Sequence, residues 1–207
     1  MYKNTEMINN YNQLSLNKYY EIMDVLKEDM DIDSQVKILS IITNMTENEI
    51  INLRLSKYEE LLDSINFLYE PLKPKKHIPR KMVINGNNYI LLKSVDKMTA
   101  GQYIDIQSYY NNNLGYEYIL SALVVPEGKK YGEGYDVQDV VNDILELDVQ
   151  TCIDVCFFFR KKLLNSIRTT LIYLGWMIKK VKIPQKKQEL MEVRKILMDK
   201  VLELSGI

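Results

Sequence analysis

The 207-residue sequence has little of what usually builds a chemical site: one histidine, two cysteines, one tryptophan and eight glycines. A single histidine, His77, excludes most zinc sites and histidine-based triads, because both need a positioned set of partners. The two cysteines, Cys152 and Cys156, are too few for a disulfide framework. Long apolar runs are also missing. The most hydrophobic stretch, Leu163 to Ile178, is interrupted by Asn165 and Arg168 and falls short of the roughly 20 apolar residues a spanning helix needs. Residues 1–11 lack a basic start, an apolar run and a small-residue cleavage site, so no secretory signal is expected there.

What is present is an ordinary globular composition, 46% apolar and 27% charged, with a formal net charge of −1. That balance gives no overall pull toward nucleic acid or an anionic membrane, and no membrane partner is expected. The charge is nonetheless arranged in blocks. Residues 1–70 carry −7, 71–98 carry +6, 99–158 carry −8 and 159–207 carry +8. Such blocks neutralise one another within a folded monomer, or set one copy of the chain against the next.

The first third reads as short helices. Ser15 or Asn17 caps a helix over 18–27, and Ser34 precedes a second whose Val36, Leu39 and Ile42 share a face. Thr46 and Glu49 have capping-box spacing, and Ser56-Lys57-Tyr58-Glu59 repeats it. Pro71, Pro74 and Pro79 then break the pattern in a basic extended stretch. Two short strands are predicted at 81–84 and 88–92, around an Asn85-Gly86 turn. Helices return, capped by Thr99, preceded by Gly115 over 116–125, and capped by Asp136 and Asp148. The last is the longest, from Val149 to about Val181, with an apolar stripe through Cys152, Cys156, Phe159, Leu163, Ile167, Leu171, Leu174 and Ile178 and a bend expected near Gly175. After Pro184 a final amphipathic helix carries Leu190, Val193, Leu197, Val201 and Leu204, free to dock back or to project to a partner.

The expected fold is mainly α with a small β-hairpin (α+β), a helical bundle built on one long helix with an amphipathic C-terminal helix. Its parts are an N-terminal helical module (1–70), a basic proline-rich linker (71–81), a hairpin with the helical core (82–183) and the C-terminal helix (184–207).

Few residues invite chemistry, and each has a plain alternative. Cys152 and Cys156 are four apart on an apolar stripe, which reads as buried packing rather than a redox turn. His77 reads as a solvated loop residue. The segment Gly128-Lys129-Lys130-Tyr131-Gly132-Glu133-Gly134 lacks the order of a phosphate-binding loop. The acids Glu127, Glu133, Asp136, Asp139 and Asp143 do not have calcium-loop spacing. No catalytic residue, cofactor or metal site is expected, and the chain reads as non-enzymatic. Two sets of residues read as partner-binding: the basic cluster Lys73, Lys75, Lys76, Arg80 and Lys81, and the apolar row Leu190, Val193, Leu197, Val201 and Leu204. The basic cluster serves a solvated linker, an acidic neighbouring subunit or a nucleic-acid backbone, the last not as main partner.

Several segments carry a resemblance. Met98-Thr99-Ala100-Gly101-Gln102-Tyr103-Ile104-Asp105-Ile106-Gln107, Val125-Pro126-Glu127-Gly128-Lys129-Lys130-Tyr131, Gly134-Tyr135-Asp136-Val137, and Phe157-Phe158-Phe159 running on to Lys161-Lys162-Leu163-Leu164 and Tyr173-Leu174 are the residues concerned. Over about 80–182 the chain resembles small proteins of tailed bacteriophages, in particular those of crAss-like phages. The resemblance implies a structural ring protein of the tail or head-to-tail connector, present in the virion and, during assembly, in the host cytoplasm. Its implied partners are copies of itself in a cyclic assembly and portal, connector or tail proteins. Tail-assembly chaperones share the helical pattern, which implies as an alternative a chaperone that binds the tape-measure protein and is absent from mature virions. No active-site residue comes with the resemblance.

Overall fold

A computed structural model describes residues 7–27, 31–75, 78–92 and 94–205, with side chains as far as Leu202. The N-terminal module contains α1 (Leu16–Val25), α2 (Ile32–Thr43), α3 (Glu47–Ile51) and α4 (Leu55–Ser64), followed by a 3-10 turn over Asn66–Tyr69. Ser15 caps α1 by accepting the Lys18 amide. Helix α2 starts earlier than the Ser34 signal suggests. Asp31 is its cap, accepting the amide of Ser34, whose side chain lies buried inside the first turn. The Thr46–Glu49 capping box forms in both directions at the start of α3. The second expected box does not form: α4 begins at Leu55 behind Arg54, with no side-chain cap. The connection from α3 takes only Asn52 to Arg54, so the helix opens one residue ahead of Ser56.

Beyond the linker, β1 (Lys81–Ile84) and β2 (Asn87–Leu91) form the expected hairpin. Asn85 and Gly86 both adopt positive φ, +49° and +78°, as a tight two-residue turn requires. Helix α5 (Ala100–Asn111) is capped by Thr99 and Gln102 acting reciprocally, and α6 (Tyr116–Leu123) follows Gly115. Here the sequence expectation of a helix to residue 125 is corrected. The chain leaves the helix after Leu123, and β3 (Val124–Pro126) pairs antiparallel with β2, setting Ile90 opposite Val125 and Leu91 opposite Val124. An unpaired β2 edge would strand backbone donors and acceptors, and the β-branched Val124 and Val125 suit a pleated strand. Pro126 stands at the outer edge, where its missing N–H costs nothing.

Helix α7 (Val137–Leu145) starts at the Asp136 cap, and α8 (Val149–Lys180) at the Asp148 cap. Helix α8 runs its 32 residues as one helix through Gly175. Its stripe is buried or half-buried along the whole length, from Val149 and Cys152 to Leu174 and Ile178. A three-residue link leads to α9 (Pro184–Ser205), which packs back on α8.

Two apolar cores lie side by side. One gathers Met82, Ile84, Tyr89, Leu91, Leu120, Leu123 and Val140 around Cys152, Val155 and Phe159 of α8. The other gathers Ile22, Leu39, Ile42, Ile50 and Leu61 with Val149, also of α8. The first two turns of α8 thus serve both cores. Complete burial of a Val side chain is worth about 1.5–3 kcal/mol, so Val149 and Val155 make this segment an important part of the joint between them. Backbone bonds reinforce it: Leu16 N–H donates to Leu147 O at 2.9 Å, and Val149 N–H to Leu14 O at 2.9 Å.

Candidate interaction surface

The second half of α8 and the whole of α9 form a two-helix arm. Helix α8 is the element against which α9 packs extensively. The seam between them takes Leu171 and Leu174 of α8, which are buried, and Leu190, Leu197 and Val201 of α9, which are half-buried. Of the apolar row expected to meet a partner, then, three residues are engaged inside the chain and Val193 remains exposed. The side chain of Leu204 lies outside the described residues.

The outward surface of the arm carries residues that the apolar stripe did not single out. Ile172, Tyr173 and Trp176 of α8 are exposed, as are Met191, Ile196, Met198 and Leu202 of α9. Tyr173 and Trp176 stack with ring centroids 6.2 Å apart, and the Lys180 ammonium lies over the Trp176 ring at 3.9 Å. Lys179, Lys182, Lys186, Lys187 and Lys195 are exposed along the same segment, together with Glu189, Glu192 and Asp199. An excess of apolar residues in α9 beyond one 3.6-residue stripe is the sequence signal for this second face.

At the root of the arm, α5, α6 and α8 enclose an apolar notch lined by Met98, Tyr103, Ile106, Tyr116, Phe159 and Leu163. Cys156 also borders it. Burial pushes both thiols well above their ordinary range, a neighbouring thiol and acidic side chains adding to the effect at Cys152, and Glu117 at Cys156. Beside the notch, Tyr20 OH donates to Glu117 Oε2 at 2.6 Å and accepts the Tyr116 amide at 2.8 Å.

The basic linker is held rather than loose. Lys75 N–H donates to Asp154 Oδ1 at 2.6 Å, and Gln150 Nε2 donates to Lys73 O at 3.1 Å and to Asp154 Oδ1 at 2.9 Å. Lys75 Nζ reaches Asn12 Oδ1, and Lys81 Nζ pairs with Glu127. The side chains of Lys73 and Arg80 are exposed, while Lys76 and His77 lie outside the described residues. Among the described residues of the cluster, Lys75 and Lys81 make separate contacts, one with Asn12 and the other with Glu127.

Among the acids weighed for a cation site, Asp143 has a different task. It accepts from Asn85 Nδ2, Asn87 Nδ2 and Tyr89 OH, tying the hairpin to α7. Among the described residues no three His, Cys, Asp or Glu side chains are grouped to hold a metal ion, and no helix is long and apolar enough to cross a membrane. No protein-family model, curated protein or solved structure matches the chain.

Proposed function

We propose that the chain is a non-enzymatic structural subunit of a tailed-phage virion, forming a ring in the head-to-tail connector or tail and binding neighbouring virion proteins. The observation that carries this reading is the outward face of the α8–α9 arm, where large apolar side chains stand exposed among lysines. Exposed apolar surface rimmed by charge is the physical mark of a protein-binding face. The sequence resemblance to small proteins of crAss-like phages supplies the virion context. Opposed charge blocks on one chain suit a head-to-tail contact between copies, which closes into a ring when the rotation permits.

Mass spectrometry and electron microscopy of purified particles test the proposal. The protein is expected in mature virions, at a ring of defined copy number. Its presence in infected cells but absence from particles would replace this reading with an assembly chaperone, and co-purification with a tape-measure protein would identify the client.

A further inference from the structure

On the outer face of α8, Ile172, Trp176 and Lys180 follow one another at four-residue spacing, so an isoleucine, an indole and an ammonium form one row along the arm. On the outer face of α4, Leu55, Glu59 and Asp63 follow at the same spacing, so a leucine and two carboxylates form a row of like length and opposite charge. The two apolar members stand far out of their own fold: Ile172 is 76% exposed and Leu55 70%. Ile51, which ends α3 four residues before Leu55, is exposed as well. Tyr58 OH donates to Gln35 Oε1 at 3.3 Å, tying α4 to α2, whose cap Asp31 and first residues Ile32 and Asp33 are exposed. The arm belongs to the +8 block and the N-terminal module to the −7 block.

We infer that the α8–α9 arm of one copy docks on the α3–α4 surface of the next copy, with Ile172 and Trp176 against Ile51 and Leu55, and Lys179 and Lys180 facing Glu59 and Asp63. The occupant is a second copy of this chain because the two surfaces complement each other in both apolar content and charge. The contact is heterologous: each copy offers one arm and one receiving surface, so copies add head to tail. This inference rests on the ring reading and names the contact that would build it. Apolar packing supplies its affinity, and the charges supply orientation and a salt dependence.

Trp176 is the sole tryptophan, and it is half-exposed in the single chain, so its emission reports directly on the contact. Sedimentation of the full chain over a range of concentrations is expected to show association together with a blue shift of that emission, both weakened by salt. Two exposed-site variants, Lys179→Glu with Lys180→Glu, and Glu59→Lys with Asp63→Lys, are each expected to weaken self-association by about tenfold or more while leaving far-UV circular dichroism unchanged. Mixing the two is expected to restore association, since the arm of the first meets the receiving surface of the second with the signs exchanged, and the arm of the second meets the receiving surface of the first with the native signs. Association that persists in both variants, or forms without a change in Trp176 emission, overturns this docking mode and leaves the ring reading standing on another face. A chain that stays monomeric at all concentrations also overturns it. Failure of the ring reading shows separately, as absence of the protein from particles.

Discussion

The carboxylate of Asp154, buried on α8, accepts the backbone N–H of Lys75 at 2.6 Å, so the proline-rich linker is fastened to the longest helix through its main chain. Asp154→Ala strips the acceptor from this amide and from Gln150 Nε2. The loss is expected to cost about 1–3 kcal/mol in urea unfolding, the range for a buried donor left unpaired, and to open residues 71–75 to proteolysis. Lys75→Ala keeps the amide and should lose little by the same measurements.

Tyr20 joins the N-terminal module to α6 through one hydroxyl that both donates and accepts. Tyr20→Phe removes both bonds and leaves the Glu117 carboxylate without that donor. A destabilisation of about 1.5–3 kcal/mol is expected from thermal or denaturant unfolding, the range for a bond to a charged group.

Asp143 sets a pH dependence. Burial pushes its carboxyl up, but the bonds donated by Tyr89, Asn87 and Asn85 together outweigh this and hold it below the usual carboxylate range. A depressed folded value means that the stabilisation is complete above the unfolded value, near about 4, and is lost as pH falls through the folded one. Asp143→Ala is therefore expected to melt below the parent protein at pH 7, with the gap narrowing as pH falls below about 4.

Both thiols are held protonated by burial, with Cys152 fully inside the core. A thiolate-selective alkylating reagent at pH 8 should leave Cys152 and Cys156 unmodified in the folded chain and modify both once it is unfolded. Rapid labelling of the native protein would contradict the packing described for α8.

Local features were readable because their physics is local. Thr46 with Glu49, Thr99, Asp136 and Asp148 cap helices using bonds to residues two or three positions away, and Asn85-Gly86 needs only its own φ angles. The stripe from Val149 to Ile178 was legible because a 3.6-residue period persists through many turns. Strand β3 was not, because Val124 and Val125 continue the apolar run of α6, and their strand preference decides the matter only once the edge of β2 is brought beside them. The Asp154 clamp on residues 73–75 depends in the same way on a partner far along the chain. As for the candidate surface, Leu190 and Leu197 were recognisable as one apolar face, but which partner covers it depends on α9 folding back on α8. The row Ile172, Trp176 and Lys180 escaped because, in a segment rich in apolar residues, outward ones are indistinguishable from seam residues by composition.

The pairing of Leu14 and Leu16 with Val149 and Leu147 has a consequence for how the molecule is made. The first helices leave the ribosome early, yet their core lacks Val149 and the backbone bonds from the α7–α8 junction until most of the chain has been synthesised. Closing so long a loop comes late and slowly compared with the local helix contacts. The N-terminal module must therefore wait with part of its apolar surface uncovered, and a chain interrupted before α8 would retain that exposure as a permanent property.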